Sequence, residues 1–410
     1  MFQKFKNKAK DLQRWKSRHR IFSWPSYGKW VESIKQDRSE FVPFTDNPYH
    51  RQDSDVKIFA YYLPQFHAIP ENDMAHGKGF TEWTNVASTA PQFVGHYQPK
   101  IPYDLGFYNL LMPGVIERQV EIAKTYGLYG FCFYYYWFSG KKVLEKPLKY
   151  FLHSDIDFHF HLCWANENWS KLWNGGNNEV FIEQTSNVAE ADRFYDDIRP
   201  YLHDERYEKL GNRPILMIYR PSLFDHNLFK NFVKRLHDLA HNDGFDGFYL
   251  TCSNHRQINP LEWGLDALAE FPPHGLFSVC KERRDIDRLI PSTNFKILDM
   301  TSYIHEKQYL KENSYPVFKA CFPSWDNTPR KAWSEGQCFL LTDADFRTWL
   351  SDILSWTQSH WETDSRIVYI NAWNEWAEGA MLEPTVREGF SKLDIVKSCL
   401  EQAHSRDIII

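Results

Sequence analysis

Short apolar runs, rich in aromatic and β-branched residues and bounded by Pro, Gly or polar text, recur along the chain from residue 56 to residue 370. The first is Val56 to Leu63, stopped by Pro64. The others are Gly130 to Trp137, Phe158 to Trp164, Pro214 to Arg220, Gly247 to Cys252, Ala267 to Phe271, Tyr315 to Cys321 and Ile367 to Ile370. Runs of this length and composition predict buried strands. Between them the apolar period lengthens to that of a helix. One helix is predicted to open with Pro113 in its first turn, continue through Ile116, Val120 and Ala123, and stop at Gly127. Others are predicted around Ala189 to Leu202 and through Leu228, Phe232, Leu236 and Leu239 to Gly244. Eight strands separated mostly by helices predict an α/β fold, the (β/α)8 TIM barrel, with an open doubly wound sheet as the poorer fit. No glycine fingerprint follows any strand, which removes the main signature of a dinucleotide-binding sheet.

A barrel of this kind carries its chemistry at the C-terminal ends of its strands. Polar and aromatic residues gather at those ends here. Tyr62 closes the first strand, and Tyr136 and Trp137 the second; Trp164, Asn166, Glu167 and Trp169 follow the third. Glu270 ends the sixth, and Trp325 and Asp326 follow the seventh. The eighth breaks off into Trp373, Asn374, Glu375 and Glu378. Gln65 to Met112, between the first strand and the first helix, is far longer than an ordinary loop and adds His67, Glu82 and Trp83. A plainer reading of the eighth strand end is a capped helix with Glu375 and Glu378 as first-turn acids. The repetition of the pattern at several strand ends favours a common pocket, because Glu and Asn are costly to bury without partners. Glu270, just before Pro272 and Pro273, suits a ligand contact or a helix cap equally.

The aromatic fraction, 17% with 16 Trp and 22 Tyr, exceeds what packing ordinarily requires. Sugars offer flat C–H faces to aromatic rings and hydroxyls to amides and carboxylates, so this composition leans toward a carbohydrate partner. The net charge of −5 argues against nucleic acid, whose phosphates demand many cations. The 7 Cys are scattered without close pairs, and free thiols in a reducing, cytoplasmic setting are expected unless a leader is removed upstream. Residues 1–22 are different in character. Lys4, Lys6, Lys8, Lys10, Arg14, Lys16, Arg18 and Arg20 surround Phe2, Phe5, Leu12 and Trp15 at helical spacing. Such a basic amphipathic helix suits peripheral contact with the inner membrane face, against the alternative of a solvated helix or arm. Residues 1–50 are read as this extension and its wrapping segment, and 51–405 as one catalytic domain.

Two carboxylates flanking a polar bond are the minimum apparatus for glycoside cleavage. Glu375 and Glu378 are three apart, a spacing that on a helical turn turns both to one side. Five blocks then stand together: Tyr-Tyr-Leu-Pro-Gln-Phe-His at 61–67, Gly-Phe-Thr-Glu-Trp at 79–83, Gly130 to Phe138, Cys163 to Trp169, and Asn374 to Gly379 with Glu383 and Pro384. In combination, across roughly residues 55 to 400, they resemble the WbsX-type family of bacterial surface-polysaccharide clusters, which is related to the endo-α-mannosidase family of glycoside hydrolases. The resemblance implies the barrel, catalysis by Glu375 and Glu378 without cofactor, and Glu167 in contact with the reactive sugar. It further implies that Glu375 acts as base on the sugar's own 2-hydroxyl and Glu378 as acid and base.

Other chemistries find weaker support. Asp-x-Asp pairs at Asp53/Asp55, Asp155/Asp157, Asp285/Asp287 and Asp343/Asp345 follow no strand, as the metal pair of a sugar-nucleotide transferase would need. Glu375 and Glu383 match a Glu-x7-Glu spacing of some transferases, read here as coincidence. His159 and His161 could hold a metal, but buried barrel histidines are commoner; no metal is expected. The reading is therefore an enzyme acting on an α-linked oligosaccharide or lipid-linked glycan. Its rivals are a glycosyltransferase using the same pocket and a glycan-binding protein with a dead site.

Overall fold

The computed structural model describes residues 38, 40–170, 180–184, 188–253, 258–289, 295–331 and 336–407. The basic segment 1–22 and the Gly175–Gly176 stretch lie outside these residues. Eight parallel strands form the centre: β1 (Lys57–Tyr62), β2 (Gly130–Phe138), β3 (His159–Trp164), β4 (Arg213–Ile218), β5 (Tyr249–Ser253), β6 (Ala267–Ala269), β7 (Val317–Phe318 and Ala320–Cys321) and β8 (Ile367–Ile370). Neighbours in the chain are neighbours in the sheet from β1 to β6. The two halves of β7, divided at Lys319, pair with β6 and β8 respectively, and β8 pairs with β1, so the barrel closes.

Helices Val115–Thr125, Lys146–Leu152, Glu190–Leu202, His226–Asn242, Asp343–His360 and Ser391–Asp407 cover the outside. The helix expected from Pro113 thus begins two residues later. Among the described residues, the connection between β5 and β6 holds only a 3-10 turn, Pro260–Trp263. Ahead of β1, Phe44 packs on Tyr126 and Phe390, and the Val42 N–H donates to the carbonyl of Glu388, so the described chain is packed on the barrel from about residue 41.

Because successive strand residues face opposite sides, the core divides in two. Ile58, Ala60, Phe131, Phe133, Leu162, Leu216, Val368 and Ile370 face the helices. Phe59, Tyr61, Cys132, Tyr134, Cys163, Met217, Phe318 and Tyr369 fill the barrel. This interior is unusually aromatic. Phe59 meets His161 edge-on at 5.0 Å, and above them Tyr61 stacks on Tyr369 at 5.2 Å and touches Phe271 at 4.5 Å. His161 Nε2 bonds the Tyr369 hydroxyl at 3.1 Å, and burial lowers the ring pKa to about 3. His159 stacks on Tyr129. Gly130 is required at the floor, since a Cβ there would lie 2.5 Å from both Phe59 and the carbonyl of His159. All seven cysteines are buried and free.

The excursions after β6 and β7 share a small sheet of Lys281–Glu282, Lys296–Asp299, Gln337–Leu340 and Trp325–Asp326. The long insertion after β1 reaches it: Phe93 and His96 pack against Phe295. Among the described residues no helix is long and apolar enough to cross a membrane.

Candidate active site

A cavity of about 760 Å³ opens at the C-terminal mouth of the barrel. Its floor is Tyr134 and Tyr136, inward-facing residues of β2, with Tyr219 and Phe271. One wall comes from the ends of β3 and β4, where Asn166, Glu167 and Arg220 stand; another comes from the β7 excursion, with Trp325, Asn327, Arg330, Lys331 and Gln337. Glu375 and Glu378 complete the lining.

The residues after β8 do not continue into an α-helix. Asn374–Glu375 and Ala380–Met381 pair as a two-stranded hairpin around a 3-10 turn, Trp376–Glu378. In a 3-10 turn residues three apart eclipse, so Glu375 at its N-cap and Glu378 at its end share one side. The shared direction expected from the spacing is met by a tighter element. Gly379 ends the turn at φ +60°, and its carbonyl accepts from Lys100 Nζ at 3.0 Å and from the Ser324 hydroxyl. Asn374 does not reach the cavity; its amide bonds both the N–H and the carbonyl of Leu63, at 2.8 and 3.0 Å, fastening the hairpin to the end of β1.

One guanidinium organises the acids. Arg330 Nη2 donates to Glu375 at 2.9 Å, and Nη1 to Glu378 at 2.8 Å; Nη2 also lies 3.5 Å from Glu82, the first residue of helix Glu82–Ser88. Glu375 is 5% exposed. Burial raises its carboxyl pKa well above the ordinary range, Arg330 opposes that shift, and Glu378 and Glu82 add to it. Burial works against the charge of Arg330, but the three carboxylates keep it firmly protonated. On the opposite pair, Arg220 is salt-bridged to Glu167 and positioned through Asn166, whose amide accepts from the Arg220 N–H at 2.7 Å and donates to its carbonyl at 2.9 Å.

Tyr136, Asn166, Glu167, Trp325, Glu375 and Glu378 therefore line the cavity as the strand-end rule suggests, and Glu82 joins them through Arg330. Several expected contacts lie elsewhere. Tyr62, Trp137, Trp164 and Trp373 are fully buried in the layer between sheet and helices. The reason is alternation: Trp137 follows the inward Tyr136 and must point outward, where its indole donates to Asp197 at 2.7 Å. Tyr62 likewise donates to Gln119 at 2.7 Å. Trp169 stands edge-on behind Tyr136 at 5.2 Å, and Trp83 packs on Trp376 at 5.4 Å. His67 is buried off the cavity, its ring pKa lowered to about 4 by burial and by Lys146. Glu270 is neither ligand contact nor helix cap; it accepts from Lys319 Nζ at 3.0 Å and from the Ala320 N–H at 3.1 Å, bridging the break in β7.

Asp326 is a strut. It accepts from His96 Nε2 and Gln98 Nε2, both at 2.6 Å, and from Thr328. Burial would raise its pKa, but His96 and these bonds hold it at about 2. The donor atoms of His96, Asp326 and Cys338 lie within 4.8 Å of one another. His96 Nδ1 accepts from the Gln92 N–H at 3.0 Å, which assigns the ring proton to Nε2 and leaves no lone pair there for an ion. Glu383, also off the cavity, accepts from Gln119 at 2.6 Å, from Tyr108 at 2.9 Å and from Trp376, and burial lifts its pKa to about 7.

Sequence reasoning missed Arg330, Lys331, Tyr219, Arg220, His274 and Phe277 in the lining. Arg220 ends β4's apolar run and was accessible to the strand-end rule. Arg330 carries no local signal; only the need of buried acids for a countercharge points to it.

The family model Glycosyltransferase WbsX matches residues 58–396. The chain is 38% identical over 352 residues, 84% of its length, to the uncharacterized protein WxcX of two Xanthomonas campestris pv. campestris strains. It spans about half the length of these curated relatives, 50% in each. Its fold is similar to a solved glycoside hydrolase-like protein, at 12% identity, TM-score 0.53, covering 88% of this chain and 98% of that one. It is equally similar to the GH99 endo-alpha-mannosidase of Bacteroides thetaiotaomicron in complex with bis-tris-propane, at 11% identity, TM-score 0.52, covering 86% and 99%. The chain belongs to the WbsX glycosyltransferase family.

Proposed function

We propose that this protein cleaves an α-glycosidic bond of a bacterial surface polysaccharide or of its lipid-linked precursor, with Glu375 and Glu378 as the reacting carboxylates. The observation that carries the reading is the shared guanidinium: Arg330 holds both acids, at 2.9 and 2.8 Å, inside an aromatic-floored cavity large enough for several sugar rings. Burial raises the basicity of Glu375, and Arg330 opposes that shift. It takes the proton of the sugar's 2-hydroxyl, whose oxygen attacks the anomeric carbon. Glu378, a quarter exposed at the mouth, protonates the departing oxygen. Water then opens the anhydro ring, giving its proton to Glu378 while Glu375 returns one to the 2-oxygen. Tyr136 supplies a sugar-stacking face and Glu167 a hydroxyl acceptor.

The test is product formation from surface polysaccharide or lipid-linked repeats. Glu375→Gln and Glu378→Gln are each expected to lower kcat by at least about a hundredfold, the range of a lost general acid or base; unchanged turnover in either overturns the assignment. A transferase using the same cavity is the second reading, favoured by the family's description. Donor turnover on incubation with nucleotide sugars, and none with glycan alone, decides for it.

A further inference from the structure

The wall contributed by the β7 excursion holds donors that the carboxylate pair does not use. Arg330 directs both terminal nitrogens at Glu375 and Glu378, and its buried Nε–H has no acceptor among the described residues. The indole N–H of Trp325, a residue 4% exposed, has none either. Lys331, next in the chain, lines the cavity half-buried and pairs with no carboxylate among the described residues. The charge of the cavity's other arginine, Arg220, is matched by Glu167, although its Nε–H too lacks an acceptor among the described residues. Buried N–H groups ordinarily find acceptors, and an ammonium in a partly desolvated wall gains most from an anionic one.

We propose that this wall is a subsite for an acidic substituent of the glycan, a carboxylate or a phosphate, and that Lys331 is its specificity-determining residue. The proposal rests on the glycan-pocket reading above and narrows it to acidic polysaccharides. A neutral sugar hydroxyl would satisfy an N–H but leave the ammonium unmatched. An acidic group beside Lys331 supplies the countercharge that the ammonium lacks. Glu82, Glu375 and Glu378 outnumber Arg330 and Lys331 by one charge, so the attraction is local to the Lys331 end of the wall, where no carboxylate of the described residues pairs with the ammonium.

Acidic bacterial polysaccharides printed beside carboxyl-reduced and dephosphorylated forms of the same polymers provide the test, with the full chain and its Lys331→Met and Lys331→Arg variants applied. Retention on the acidic polymer is expected to exceed that on the treated one by about tenfold, the strength of one charge-assisted contact. That preference should shrink with added salt, fall away in Lys331→Met and return in Lys331→Arg. Its loss on carboxyl reduction identifies a carboxylate, and on dephosphorylation a phosphate. Equal retention of treated and untreated polymers, a preference indifferent to salt, or one that survives in Lys331→Met overturns the subsite and leaves the glycan pocket standing. Absence of saturable retention on every polymer overturns both.

Discussion

Arg330 carries the site's electrostatics, because three acids converge on it while it is 8% exposed. Removing it in Arg330→Met leaves Glu375 and Glu82 buried without a countercharge. Breaking a buried pair from one side costs about 3–5 kcal/mol. The pH dependence follows from the direction of the Glu375 shift. Its folded pKa is already raised, so the folded state holds the proton more tightly than the unfolded one, and stability from this group falls as pH rises through that value. Without Arg330 the pKa rises further. The deficit of the variant, measured by urea denaturation, is therefore expected to be largest above neutral pH and to shrink on acidification. In turnover, where the proposed mechanism needs Glu375 ionised, the acid limb of the kcat/KM profile is expected to move to higher pH. A limb that stays in place argues that some other group is the base.

At the level of elements, the hairpin after β8 depends on Gly379. A Cβ there would lie 3.0 Å from the carbonyl oxygen of Asp326, and the left-handed φ disfavours any side chain. Gly379→Ala is expected to cost about 1–3 kcal/mol in denaturant unfolding and to displace Glu378, lowering turnover more than Tm. The strand ends, and with them the place of the acids, were legible because each apolar run stops in polar text. Which aromatic residue of a pair faces the cavity was not. β2 is apolar on both faces, so the alternation that separates Tyr136 from Trp137 leaves no trace in hydrophobicity. Glu270 misled for a related reason: its partner, Lys319, is distant in the chain and lies where β7 breaks, and no strand pattern announces a break.

That break matters to the whole molecule, since β7 is where the sheet closes. The Ala320 N–H, released from the ladder on one side, is taken by Glu270, and Lys319, 1% exposed, neutralises the carboxylate while lying over the Trp356 ring. Lys319→Met is expected to destabilise the fold by about 1–3 kcal/mol because it leaves the half-buried Glu270 without its countercharge. Adding Glu270→Gln should recover part of that loss in the same denaturation experiment, whereas purely additive losses would argue against a coupled pair.

The clamp on Arg330 also has a bearing on how the protein is made. Glu82 belongs to the first excursion of the barrel, Arg330 to the seventh, and Glu375 and Glu378 follow the last strand. A nascent chain translated only as far as the β7 excursion holds Glu82 and Arg330 but neither Glu375 nor Glu378. On the proposed reading, a translation product that ends before β8 carries no reacting carboxylate and cannot act on a glycan.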